Sequence, residues 1–147
     1  MTRFSKLAAV AALGFASVAF GVNAESHAPM MGQEGAEALM KANGAATGTL
    51  AKMAKGELPF DAAAAEAAKQ ALVSGAQTIP VVFKEPFEGE ETLPAIWENF
   101  EDFTAKAKAL EDAAAALDVT SADTIGAGLG AIGASCAGCH QTYRAKS

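Results

Sequence analysis

The run Cys136-Ala137-Gly138-Cys139-His140, close to the C-terminus of a 147-residue chain, governs how the rest is read. C-x-x-C-H is the attachment site of a c-type haem. On a helix, residues three and four apart share one face. Both sulfurs and the imidazole then converge on one haem, the sulfurs as thioethers and His140 as axial ligand to the iron. Other uses of the motif fit worse. A thioredoxin-type C-x-x-C opens a helix after a strand, and no strand pattern precedes Cys136. A zinc site takes about four ligands, whereas the chain has two cysteines and its other histidine, His27, lies in the Pro- and Met-containing stretch ahead of the first helix. A structural disulfide would leave His140 without a role.

Working outward, Ile125, Leu129, Ile132, Cys136, Cys139 and Tyr143 recur at alternating spacings of four and three, a helical stripe. The haem cysteines therefore lie on the core-facing side of a helix that begins near Ser121 or Asp123. Gly126, Gly128, Gly130 and Gly133 each cost this helix about 1 kcal/mol relative to Ala. They suit a backbone that something bulky approaches closely, either haem or a neighbouring helix. Upstream, Ile96, Phe100, Phe103, Ala107, Leu110, Ala114 and Leu117 mark a helix opening at Pro94. A segment from Gln33 to Lys55, with Leu39, Ala46, Leu50 and Met53 as its apolar positions, closes at Gly56. Another starts at Asp61, a good cap residue, and runs to about Gln77 along Ala65, Ala68, Leu72, Ala76 and Ile79. Pro80 to Leu93 reads as a long crossover. Four amphipathic helices without a strand predict an all-α, antiparallel four-helix bundle carrying one covalently bound haem c. Its alanine-rich stripes make a thin core, to which buried porphyrin would add apolar area at about 25 cal/mol per Å².

Residues 1–24 combine Arg3 and Lys6, an apolar stretch from Leu7 to Val22, and the small-residue ending Val22-Asn23-Ala24. That is the layout of a secretory signal peptide, and the stretch is short for a membrane span of ~20 residues. The expectation is a signal peptide over 1–24, a single domain over 25–147, and a periplasmic location without stable membrane insertion. Covalent haem attachment in bacteria takes place in that compartment, so leader and motif agree. The whole chain carries a net charge of −6, and cleavage would remove two basic residues and no acidic one. Nucleic acid and anionic membranes are poor partners for such a surface. A protein with a basic docking patch is a plausible one. Seven acids fall between Glu85 and Asp102, as a docking surface or as an ordinary solvated loop and helix face.

Three stretches resemble the class II c-type cytochromes, the cytochrome c′ family: Lys55-Gly56-Glu57-Leu58-Pro59-Phe60-Asp61, Pro94-Ala95-Ile96-Trp97, and Ile132 through Arg144 with the haem motif inside it. The family is a standard example of the four-helix bundle. The resemblance implies a haem c near one end of the bundle with His140 as proximal ligand. The residue across the iron comes from the first helix, and in this family it lies about fifteen positions before the lysine of the K-G-x-x-P loop. Counting back from Lys55 gives Met40. Most members have a non-ligating apolar residue there and an iron open to small gases. A smaller branch has methionine, and a six-coordinate, low-spin electron carrier results; Met40 points to this branch. A slip of one residue would put Leu39 there instead. Met53 is about 20 Å further along the helix. Arg144 stands where the family has a basic residue near the haem ligand, a candidate charge beside the haem. Ala36 replaces the arginine that many gas-binding members carry near the distal pocket. Trp97 is expected in the core beside the haem.

The function implied is one-electron transfer to and from redox proteins, without catalysis of a bond-making step. The alternative is a five-coordinate protein that binds nitric oxide or carbon monoxide. A haem peroxidase would need a distal acid–base group, and no histidine is available there. The family often dimerises through its first two helices, so monomer and homodimer are both compatible with the sequence.

Overall fold

The computed structural model describes residues 30–146, so the signal-peptide expectation lies outside the described residues. Helix α1 spans Gly32–Ala54 and ends in a turn with Gly56 at φ +72°. There the Gly56 amide donates to the Met53 carbonyl (3.1 Å) and the Glu57 amide to that of Lys52 (2.9 Å), satisfying carbonyls that the helix end would otherwise orphan. Helix α2 spans Ala62–Val82, with the Asp61 carboxylate accepting from the Ala64 amide at 2.8 Å. It runs past the predicted end at Gln77 and includes Pro80. A proline forfeits one helical hydrogen bond. Here it lies in the last turn, where Ile79 and Val82 are buried, and that burial keeps the turn helical.

The predicted third helix is broken in two. A single turn, α3 (Ala95–Glu98), precedes Asn99, whose φ −132°, ψ 47° interrupt the helix before α4 (Phe100–Ala115). The apolar spacing does not register this break, because Ile96 and Phe103 are buried on either side of it. What holds the bend is polar. The Trp97 indole donates to the Phe83 carbonyl at 2.9 Å, and the Asn99 carbonyl accepts from the Phe103 amide at 3.0 Å. Helix α5 (Ala122–Tyr143) starts in a reciprocal cap between Ser121 and Thr124.

Helices α1, α2, α4 and α5 form a square in which α1 adjoins α2 and α5, and α4 adjoins the same two. Cross-helix neighbours are those of antiparallel packing: Asn43 faces Gly75, the Phe83 ring packs tilted against Phe103, Ala54 lies by Gly126, and Tyr143 meets Phe103 edge-on. Leu50, Leu72, Val82, Ile125 and Ile132 are fully buried, with alanines filling much of the rest. At one end of the bundle Phe83, Phe87, Trp97, Phe100, Phe103 and Tyr143 form an aromatic cluster with ring centroids 5.2–5.9 Å apart.

Of the glycines of α5, Gly130 and Gly133 have nothing within 4 Å of where a β-carbon would lie, and Gly128 alone is closely approached. A β-carbon on Gly128 would come within 2.5 Å of Leu117 Cδ1, so this glycine admits the turn between α4 and α5. With so thin a core, single large side chains matter. Truncating Leu72, which has no exposed surface, to alanine should cost about 2–5 kcal/mol. Chemical denaturation of the holoprotein, comparing the two midpoints, measures that loss.

Candidate functional site

Cys136, Cys139 and His140 occupy the i, i+3 and i+4 positions of α5 and together line a cavity between α1, α4 and α5. This cavity has two lobes, of about 400 and 560 Å³, whose walls share Met40, Cys139 and His140. The inner lobe is walled by a stripe on α1 (Met40, Asn43, Gly44, Thr47, Gly48, Ala51) facing Lys106, Ala107 and Leu110 of α4. The outer lobe reaches the bundle end, between Phe83, Phe103 and Tyr143 on one side and Gln33, Lys41, Glu91 and Arg144 on the other. Its size lies within the ~300–1,000 Å³ of small-molecule sites.

Met40 lines both lobes, as His140 does; Leu39 lines neither. Met53 is buried in the core, away from both. Arg144 reaches the outer rim, where its guanidinium donates to Glu91 Oε1 at 2.7 Å. That bond, aided by the guanidinium charge, holds the Glu91 carboxyl below its ordinary range. Ala36 lines the outer lobe. Trp97 does not touch the cavity; it braces Phe83, which does.

The ionisable groups are set toward neutrality. Burial pushes the thiols of Cys136 and Cys139 up, so both stay protonated. Burial, and then the charge of Arg144, hold the His140 imidazole below its ordinary value, which favours the neutral ring with one unprotonated nitrogen. No three His, Cys, Asp or Glu side chains among the described residues gather as a metal-ion cluster. The cysteines are unpaired.

Three parts of the site escaped the sequence reading. The α1 wall stripe runs beside the apolar stripe that the periodicity picked out, and its signal was the Gly44–Gly48 pair one turn beyond Met40. Asn43 is buried, yet its Nδ2 has no partner. Tyr143 donates to Asp102 Oδ2 at 2.6 Å, a long-range pairing that no local pattern announces.

A planar apolar group tethered at the two cysteines fits this cavity: it has room on both sides of His140 and bare backbone at Gly44 and Gly48. The fold and site thus define a haem-c-binding four-helix bundle. The family model described as Cytochrome C′ matches residues 34–144. Cytochrome c-556 of Agrobacterium fabrum is 46% identical over 114 residues, covering 75% of this chain and 78% of that protein. Cytochrome c-554 of Cereibacter sphaeroides is 38% identical over 122 residues, covering 77% and 80%. Among solved structures, a cytochrome c′ from Rhodobacter sphaeroides superposes with a TM-score of 0.69 at 32% identity, covering 78% of this chain and 95% of that one. A nitric oxide complex of a cytochrome c prime variant from Alcaligenes xylosoxidans gives 0.67 at 29% identity, covering 75% and 90%. The chain belongs to the cytochrome c′ family and carries haem c.

Tyr143 offers a test of the outer wall. Burial first, and the bond to Asp102 second, push its hydroxyl from 10.0 up to about 12. A group whose pKa is raised in the folded state stabilises it below the unfolded pKa, and that contribution is lost as pH rises through the folded value. Stability should therefore fall between about pH 10 and pH 12, and Tyr143→Phe should flatten this part of the curve. The chain has one tyrosine, so tyrosinate absorbance follows this group alone.

Proposed function

We propose that this protein is a periplasmic electron carrier whose haem iron is held between His140 and Met40, with Cys136 and Cys139 as the thioether tethers. The observation that carries the reading is register. Met40 shares both lobes of the cavity with His140, whereas its neighbour Leu39 faces neither. Haem c supplies a one-electron ferric–ferrous couple. The protein's residues do the remaining work. His140 and Met40 would hold the iron, and a His/Met pair would raise its potential relative to harder ligands. Phe83, Phe103 and Tyr143 wall the cavity end against water. Glu91 holds Arg144 at the rim, close to where a partner would meet the haem edge.

Secretion through the leader at 1–24 would deliver the chain to the periplasm. Among the described residues no helix is long and apolar enough to cross a membrane. The acids at Glu85, Glu88, Glu90, Glu91, Glu98, Glu101 and Asp102 are all exposed, and they favour redox partners that present basic docking patches. Electron exchange with such a partner should slow as salt rises, because the Debye length shrinks from about 10 Å at 0.1 M to about 3 Å at 1 M.

The second reading is gas binding at an open distal site. The nitric oxide complex of the Alcaligenes protein gives it substance, and a weakly bound Met40 would produce it here. Absorption spectra of the oxidised and reduced holoprotein, with and without carbon monoxide, separate the two. The wild type should be low-spin and respond weakly to carbon monoxide, and Met40→Ala should be high-spin and bind it at once. A wild type that is already high-spin, with a spectrum unchanged by Met40→Ala, removes Met40 from the iron. His140→Ala should abolish the native coordination even with haem still attached.

A further inference from the structure

The two lobes of the cavity differ in charge. The inner lobe is walled largely by Ile79, Ala107, Leu110 and the backbone of Gly44 and Gly48, and among the described residues Lys106 is its one charged side chain. The outer lobe carries Glu37, Glu90 and Glu91 together with Lys41 and Arg144. Haem c brings two carboxylates of its own. An ionised carboxylate is costly to leave unpaired away from water, so the two lobes are not equivalent places for them.

The tethers decide between the lobes. In haem c the two pyrroles that carry the thioethers are neighbours, and the carboxylates hang from the other two, across the iron. Cys136 lines the inner lobe only, while Cys139 and His140 line both. The direction from the tethers across the iron therefore runs from the inner lobe toward the outer one. Lys106 stands on the tether side: burial pushes the Cys139 thiol up, and the nearby Lys106 ammonium pulls against it. Lys106 also lies 3.8 Å from Asp102. The basic groups left for the carboxylates are Lys41 and Arg144.

These two are not equally free. The Arg144 guanidinium is bonded to Glu91 at 2.7 Å, and its backbone pairs with Thr92. Lys41 Nζ is 4.0 Å from Glu37, the outer limit of an ion pair, with both side chains more than half exposed. Exposed pairs of this kind contribute little, and the flexible stem of a lysine lets its ammonium move to a better partner.

We propose that Lys41 is the counter-ion of the haem carboxylates, which lie in the outer lobe: its ammonium leaves Glu37 and donates to them. The inference rests on the tethering at Cys136 and Cys139 and on His140 as iron ligand, and it stands whether or not Met40 reaches the iron. Without Lys41, the haem carboxylates would join Glu37, Glu90 and Glu91 with Arg144 alone against them. A cation beside the haem disfavours the more positive ferric iron, so Lys41 raises the reduction potential.

Two measurements on the holoprotein test this. In the ferrous protein, taken as its carbon monoxide adduct where that is needed for a diamagnetic iron, a nuclear Overhauser contact is expected between the methylenes of the haem carboxylate arms and those of Lys41. Contacts with Lys106 instead, or none with Lys41, overturn the proposal. Lys41→Gln should shift the ferric–ferrous equilibrium toward ferric by about threefold at low ionic strength, the scale of one exposed ion pair. The shift should shrink at about 1 M salt. Lys41→Arg keeps the charge and should leave the potential near that of the wild type. A potential unchanged in Lys41→Gln, or lowered equally in Lys41→Arg, overturns the proposal. Failure of the Met40 reading shows separately, as a wild-type spectrum that Met40→Ala does not alter.

Discussion

The last turn of α5 carries His140, and helix ends fray unless something outside the helix holds them. Here the crossover segment between α2 and α4 does so. The Leu93 amide donates to the Tyr143 carbonyl (3.2 Å), the Ala145 amide to the Glu91 carbonyl (3.1 Å), and the Arg144 guanidinium to the Glu91 carboxylate (2.7 Å). Thr92 and Arg144 pair as a short antiparallel bridge, and the Tyr143 hydroxyl reaches Asp102 on α4. These ties fall within five residues of His140. They fix the rotation of α5 about its own axis, and with it the direction in which Cys136, Cys139 and His140 face. The alignment of the cavity with Met40 depends on that rotation.

The length of the crossover follows from the same requirement. Joining two antiparallel neighbours needs only a few residues, as the α1–α2 and α4–α5 turns illustrate. The segment from Phe83 to Asn99 is longer because it also closes the bundle end, with Phe87 and Trp97 joining the aromatic cluster, and clasps the C-terminus. Alanine-rich helices complete the arrangement. Small side chains at Ala36 and Ala107 and bare backbone at Gly44 and Gly48 leave space on either side of His140, where larger residues would have filled the bundle as an ordinary core.

What could be read from the sequence was local or periodic. Capping at Asp61, the glycine stop at Gly56, the start of α5 near Ser121 or Asp123, and the phase of the haem motif on α5 all follow from short-range chemistry and stand in the structure. Met40 came from resemblance to the family, since residue types alone left Leu39, Met40 and Met53 as rivals; in the structure Met40 lines the cavity beside His140. Two boundaries did not follow from local rules. Pro80 lies inside α2 because Ile79 and Val82 are buried by neighbouring helices, a tertiary effect that outweighs a proline's local preference. The break at Asn99 is held by the bond from Trp97 to Phe83, fourteen residues apart in sequence and invisible to a periodicity that continues through it. Asn43 was missed because a missing partner is visible only once the surrounding side chains are placed.

The central claim is that the iron carries a nitrogen ligand from His140 and a sulfur ligand from Met40 in both oxidation states. X-ray absorption at the iron edge of the ferric and ferrous holoprotein addresses it directly, because the thioether sulfurs of the haem attachment are not bonded to the metal. The account predicts one sulfur and five nitrogen scatterers in the first coordination shell of each state. A shell of nitrogen alone, with one position vacant or occupied by oxygen, would contradict it and make the gas-binding reading the stronger one.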